Sequence, residues 1–360
     1  MLTSLRIQNF RSIRDASVKL GQVNLFIGPN NSGKSNFLKG MELFLKALQS
    51  YPYEESLKYE VFEANLFRTG NIINLKNESI LFYAKAASPY VGNIFSIPVE
   101  FKNTATDDRA PFFSSGRGWG EINKQVLEDY AAQKRSAIIY KPDPSKFQYG
   151  SPITNETRVS SEAGNLVSFI FFLSQNHKSR FRQLEKDLAF CIGNLVAIST
   201  PAEPNPDPKA QGRLKLKFFD QNDVGYWADE VSEGVLYFLA LLCIVHQPDP
   251  PKLLLLEEPE KGIHPRRIKE VMDFIFELAR LRDIQIILTS HSPYVVDHFA
   301  DIPECISVFD RVNGETVIHN AGDLITETNE RLAAEGKKPI RYTDSLGEHW
   351  VSGFLGGVPV

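Results

Sequence analysis

The sequence has little cysteine, no long apolar run and no excess of positive charge. Its three cysteines, Cys191, Cys243 and Cys305, are odd in number, scattered and set in apolar sequence. That excludes a disulfide framework or a cysteine-based metal cluster and fits buried thiols in a reducing, cytoplasmic setting. No window approaches the length that spans a bilayer, and Arg6, Arg11 and Arg14 are not followed by the apolar core of an export signal. Neither membrane insertion nor export is expected, so no membrane partner is. A formal net charge of -4 and a pI near 6.0 confine any nucleic-acid contact to a local patch. Internal repeats and sustained heptads are missing as well. What the 360 residues do have is 42% hydrophobic content, enough for a substantial core.

The stretch "FIGPNNSGKSNFLK", Phe26 to Lys39, is poor core material, because its side chains are small and polar. It follows an apolar strand-like run and opens onto a helical pattern of Leu38, Met41, Leu45 and Leu48. Gly28-Pro29-Asn30-Asn31-Ser32-Gly33-Lys34-Ser35 fits G-x-x-x-x-G-K-[ST] with both flanks of the required kind, and Asn36 continues into the helix. Backbone N–H groups of such a loop cradle phosphate oxygens that larger side chains would obstruct. Lys34 is expected to reach the β and γ phosphates of ATP, and Ser35 to ligate Mg²⁺.

Further along, "PKLLLLEEPEKGIHPRR" places Glu257 and Glu258 at the carboxyl end of a buried strand, where open α/β sheets bind their ligands. Glu257 is read as a Mg²⁺ ligand acting through water, and Glu258 as the general base for an attacking water. "DIQIILTSHSPYVV" repeats the arrangement and puts His291 at a strand end as a γ-phosphate sensor. In "DEVSEGVLYFLALLCIV", Ser232-Glu233-Gly234 opens a fully apolar helix just upstream of the acidic strand. By its place just upstream of that strand, this Ser-x-Gly turn resembles the signature element of an ABC-type ATPase.

The remaining chain is less informative. Strands are expected at 2–10, through 16–27, and at 80–84, 95–101 and 137–140, with a further strand carrying Leu214, Leu216 and Phe218. Residues 161–195 read as helical, with a basic cluster of Lys178, Arg180, Arg182 and Lys186, and "PAEPNPDPK" as a stiff connector after them. The stretches 104–121 and 141–158 read as long surface loops. The expected organisation is an N-terminal lobe over 1–155, a helical insertion over 156–200 and a C-terminal lobe over 201–360. With 69 residues beyond His291 in this sequence, no separate nuclease domain is expected there, and Gly347, Trp350, Gly353, Phe354, Gly356 and Gly357 are read as a docking tail.

The order "RIQNFRSI", phosphate loop, Ser-x-Gly, Glu-Glu-Pro strand, "GIHP" and "TSHSP" resembles ABC-type ATPases of the RecF, SMC and OLD-nuclease kind, and in particular their stand-alone bacterial members. The resemblance covers roughly residues 1–50 and 210–300. It implies an α/β fold: an ABC-type P-loop ATPase head with a mixed or parallel sheet core and an inserted helical subdomain. It also implies an ATP-sandwich homodimer, with Ser232 and Gly234 of one subunit on the γ-phosphate held by the other, His264 in the segment crossing the interface and Arg11 near the nucleotide. An effector protein such as a nuclease or toxin, and DNA, are the further partners this kinship suggests. Three features depart from the pattern. Glu257 stands where aspartate is usual, no glutamine stands out as a Mg²⁺ sensor, and residues 161–195 would span only about 50 Å even if fully helical, so coiled-coil arms are absent.

Overall fold

The computed structural model describes residues 1–49, 80–87, 94–101, 138–203, 212–261, 263–342 and 345–357. The expected loop over 104–121 and most of the proline-rich connector lie outside the described residues. The chain forms two units: Met1–Ile139 with Lys252–Glu258 and Leu278–Val360, and Tyr140–Pro251 with Pro259–Glu277.

In chain order the elements are β1 (Leu2–Phe10), β2 (Ile13–Lys19), β3 (Val23–Ile27), α1 (Lys34–Gln49), β4 (Ile80–Ala87), β5 (Ile94–Phe101), β6 (Ile139–Tyr140) and β7 (Ser151–Pro152). Then come α2 (Leu166–Asn176), α3 (Lys178–Ile192), β8 (Leu195–Ser199), β9 (Ala202–Glu203), β10 (Arg213–Leu214), β11 (Lys217–Asp220), β12 (Gly225–Trp227), α4 (Glu233–Val245) and β13 (Leu253–Glu257). They are followed by α5 (Pro265–Arg282), β14 (Gln285–Thr289), α6 (Pro293–Asp297), β15 (Ile306–Val312), β16 (Glu315–Asn320), α7 (Ala321–Ala334) and α8 (Leu346–Val351).

The first unit is built on a sheet of order β16-β15-β3-β14-β13, with β6, where the chain leaves the unit, at its edge. β13, β14, β3 and β15 run parallel, and β16 returns antiparallel as the second half of a hairpin. "VNLFI", "LLLLE" and "QIILT" are near-continuous apolar runs because strands in such a sheet are covered on both faces. Register then decides where the polar residues go. Glu257 pairs with Thr289, Thr289 with Phe26 and Phe26 with Ser307, so the strand ends line up along one edge of the sheet.

A second, antiparallel sheet of order β2-β1-β4-β5 encloses α1, whose Phe37, Leu38, Met41, Phe44, Leu45 and Leu48 are buried in one cluster with Phe10 and Phe82. Burying each such side chain contributes about 1.5–3 kcal/mol. Buried Gln285 ties the two sheets together: its Oε1 accepts from Leu2 N at 2.9 Å, and its Nε2 donates to the Leu2 and Gly21 carbonyls at 2.7 Å each. The strand expected through residues 16–27 is in fact two, β2 and β3, since the chain turns at 20–22.

In the second unit α4 is buried along its whole length, Gly234 to Val245, as a helix apolar on every side must be. Phe238 of α4 meets Phe274 of α5 edge to face, with centroids 5.2 Å apart. The helix expected over 161–195 breaks at His177 into α2 and α3, with Leu166, Ile170 and Leu173 fully buried. The strand expected through Leu214–Phe218 also divides. β10 and β11 belong to different three-stranded sheets, β7-β10-β9 and β12-β11-β8. The stretch 141–158 is no loose surface loop, because Phe147 is fully buried and Ser151 Oγ accepts from Ser168 N at 3.0 Å.

Candidate functional site

The site of the first unit forms where β3 ends. Gly28 has φ +144° and Gly33 φ +109°, a region that side-chain-bearing residues rarely enter. Sterics demand glycine there independently. A Cβ on Gly28 would lie 2.2 Å from the Phe309 carbonyl oxygen, and one on Gly33 2.1 Å from Thr316 Oγ1. The β15–β16 hairpin thus presses against the loop and holds its backbone. Behind the loop runs a chain of hydrogen bonds. Arg11 Nη1 donates to Asn36 Oδ1 at 3.2 Å, Asn36 Nδ2 to Ser12 Oγ at 2.9 Å, and Ser12 Oγ meets Thr316 Oγ1 at 2.8 Å. Arg11 also lies over the Phe10 ring at 5.4 Å, and its partial burial lowers its pKa.

Lys34 is only 6% exposed, and its Nζ donates to the Gly28 and Pro29 carbonyls at 2.8 and 2.9 Å. Burial lowers its pKa to about 8, against the opposing pull of Glu258 and Glu257. Ser35 Oγ donates to Glu257 Oε1 at 2.6 Å, which brings together two oxygens of the hard type that Mg²⁺ takes. Ser32 Oγ is buried and has no hydrogen-bond partner among the described residues. A buried hydroxyl left unpaired is costly, and an oxygen-rich ligand in the loop would satisfy it. The residues present therefore fit a nucleotide phosphate with a divalent cation.

Glu258 follows directly after β13 with φ +49°, a left-handed conformation unusual for a long side chain. Its backbone N–H is fixed by Thr289, to the carbonyl at 3.1 Å and to Oγ1 at 3.3 Å. The bend turns the Glu258 carboxylate toward His291, whose Nε2 lies 3.7 Å from Glu258 Oε1, too long for a direct hydrogen bond. His291 has its pKa lowered by burial and by Lys34, with Glu258 opposing, so the imidazole is neutral at physiological pH. Ser290 N donates to the Phe26 carbonyl at 3.1 Å, which ties the His291 turn to the strand that feeds the phosphate loop.

The first unit therefore brings together Gly28 to Asn36, Arg11, Glu257, Glu258 and His291. Ser232, Gly234 and His264 belong to the second unit. Ser232 stands at the N-terminus of α4, where its Oγ accepts from Arg267 Nη1 at 2.9 Å. It borders a cleft of about 600 Å³ whose lining includes Asp220, Glu230, Arg267 and Glu270. His264 is exposed, and its Nδ1 accepts from Arg266 N at 3.3 Å. Thr289 lies at the expected strand end before His291, while the parts played by Ser12, Thr316 and Arg267 are not in the sequence reading. Ser12 stands beside Arg11 inside "NFRSI", and Arg267 closes the stretch that contains Glu257, Glu258 and His264.

Strand order, phosphate loop and strand-end acids define the class: an ABC-type P-loop ATPase head of the RecF, SMC and OLD kind. The chain belongs to the family described as "AAA domain, putative AbiEii toxin, Type IV TA system", whose model matches residues 23–297. It is similar to the OLD nuclease of Thermus scotoductus, 21% identical over 347 residues that cover 82% of this chain and 60% of that protein. It is also similar to the energy-coupling factor transporter ATP-binding protein EcfA2 of Bacillus licheniformis, 30% identical over 139 residues that cover 37% of this chain and 44% of that protein. The chain thus spans 60% and 44% of the length of these two curated relatives, less than two thirds of either. A crystal structure of the SmcHead bound to the C-winged helix domain of ScpA shares the fold, with a TM-score of 0.54 and 16% identity over 88% of this chain and 96% of that one. No helix among the described residues is long and apolar enough to cross a membrane.

Proposed function

We propose that this chain binds and hydrolyses ATP with Mg²⁺, closes as a homodimer around the nucleotide, and acts as a switch or motor for a partner in DNA maintenance or anti-phage defence. The observation that carries this reading is the alignment of Ser35, Glu257, Glu258 and His291 along one sheet edge, with Glu258 held in a strained backbone conformation. The loop amides from Gly28 to Asn36 and the Lys34 ammonium bind the phosphates. Arg11, fixed through Asn36, stands near the nucleotide. Ser35 and Glu257 hold Mg²⁺, which when bound neutralises charge on the β and γ phosphates. Glu258 orients and deprotonates the attacking water, and neutral His291 hydrogen-bonds to the γ-phosphate.

The second half of the site comes from another copy, whose Ser232 and Gly234 contact the same γ-phosphate while His264 lies at the interface. ATP favours the closed pair only through its higher affinity for that state, and hydrolysis withdraws the preference. The resulting open-and-closed cycle is what an effector such as a nuclease or toxin would read. The test is light scattering of the Glu258→Gln protein with and without ATP. A dimer that forms with ATP and persists is expected, together with loss of turnover. Unaltered hydrolysis by that variant would remove Glu258 as the base.

One feature favours a nucleic-acid clamp as the second reading. Lys178, Arg182 and Lys186 recur every four residues along α3 and are all exposed, as is Phe190 one turn further on. The acids of the same helix are engaged elsewhere, since Glu185 Oε1 accepts from Ile198 N and Asp187 Oδ2 meets His246 Nε2. Arg180, expected in the same patch, donates instead to the Gln247 and Pro248 carbonyls. ATP-dependent DNA retention lost at high salt, and lost again when Lys178, Arg182 and Lys186 become alanine, would support this role.

A further inference from the structure

Arg267 enters none of the roles above, yet it lies across both signature residues. Its Nη1 donates to Ser232 Oγ at 2.9 Å, and a Cβ on Gly234 would come within 3.9 Å of its Cδ and Nη1. Among the described residues it forms no ion pair, although Glu270 and Glu230 line the same cleft. Ser232 occupies the N-cap position of α4 with extended backbone, φ -71° and ψ 150°, but its hydroxyl makes no capping bond. A serine there ordinarily spends a lone pair on an N–H of its own helix. Here Arg267 takes the hydroxyl instead.

The chemistry of the pair is directional. A guanidinium has only donors, whereas a hydroxyl has one proton and two lone pairs. With Arg267 donating to the oxygen, the Ser232 proton points away from Arg267 and is free for an acceptor. We propose that Arg267 is a positioning residue that presets Ser232 as a hydrogen-bond donor to the γ-phosphate held by the partner subunit, with its unneutralised charge adding attraction for that anion. This inference rests on the ATP-sandwich reading and adds a residue to it.

A double-mutant cycle in the 360-residue Glu258→Gln chain tests it, with Ser232→Ala, Arg267→Ala, the pair and Arg267→Lys. The readouts are ATP-dependent dimerisation by light scattering, binding of a fluorescent ATP analogue to the monomer, and melting temperature. Each alanine variant is expected to weaken dimerisation about tenfold, and the double variant to match the singles within about twofold, because the two residues act as one unit. Lysine, also a pure donor, should restore part of the loss. Monomer binding and melting temperature should not move, since without Arg267 the Ser232 hydroxyl falls back to capping α4, and a merely structural role for Arg267 would lower the melting temperature. An effect of Ser232→Ala without one of Arg267→Ala, or additive losses, overturns the role of Arg267 and leaves the sandwich intact. If Ser232→Ala has no effect on a dimer that does form with ATP, both fall.

Discussion

The phosphate loop and the signature turn are both glycine-bearing corners that open a helix, yet they are built in opposite ways. At the loop the chain encloses its own glycines: the Phe309 carbonyl and the Thr316 hydroxyl occupy the space where Cβ atoms would go, and the bonds from Arg11 to Thr316 back the curve. At the turn a Cβ on Gly234 would meet only Arg267 and Ser232 at an ordinary 3.9 Å. The difference separates two kinds of glycine that a motif match treats alike. One is required by folding before any ligand arrives, whereas the other, under the proposed function, is required by a second copy of the molecule.

The largest expected effects follow from that contrast. Gly28→Ala adds a methyl group against a backbone carbonyl at a φ that alanine resists, and should cost about 4 kcal/mol or more, enough to deplete the folded protein. Gly33→Ala should cost less, because Thr316 is a side chain and can swing away. Gly234→Ala, by contrast, should leave stability within about 0.5 kcal/mol while abolishing the ATP-dependent dimer. Thermal unfolding and light scattering on the three proteins check this. A melting-temperature loss for Gly234→Ala equal to that of Gly28→Ala would erase the distinction.

Why the loop was legible and its surroundings were not follows from the same physics. A stretch whose backbone does the binding restricts its residues so severely that eight positions identify it, and strands covered on both faces announce themselves as apolar runs. Ser12 and Thr316, by comparison, are ordinary hydroxyl residues that meet across 304 positions of sequence. The positive φ of Glu258 leaves no mark in composition either, because glutamate is a poor residue for it. Alternation misled at Leu214, Leu216 and Phe218: all three are buried, so the pattern runs on unbroken while the backbone passes from one sheet to another.

Protons sharpen the comparison next, since the loop carries a buried cation and the turn an exposed one. In the unfolded chain the Lys34 amine titrates near its ordinary 10.5, and in the fold burial brings it to about 8. Below about pH 8 it is charged in both states and the burial penalty is complete. Between the two values the unfolded chain holds more protons, so stability rises with pH. Phosphate binding has the opposite sign, because it needs the ammonium. Affinity for ATP should therefore fall as pH rises through about 8, approaching tenfold per pH unit, with net proton uptake on binding. Isothermal titration calorimetry from about pH 7 to about 9.5 measures both quantities, and Lys34→Arg should flatten the profile because arginine keeps its charge. Proton-independent binding across that range would place the phosphates away from Lys34.

The smallest expected effect concerns Glu258, where the proposed chemistry and the folding preference of the chain conflict. A glutamate held at φ +49° carries backbone strain that asparagine, which tolerates the left-handed region, largely escapes. Glu258→Asn should therefore raise stability by about 0.5–1 kcal/mol while removing hydrolysis, the sign expected where a site is held in a strained conformation for function. The Thr289 bonds to the residue-258 N–H do not depend on the side chain, so the turn itself should persist. Chemical denaturation of the two proteins decides the matter. A loss of stability on Glu258→Asn would mean that the glutamate side chain holds the bend in place, and the strained backbone would then count as a consequence of its contacts rather than a cost borne for catalysis.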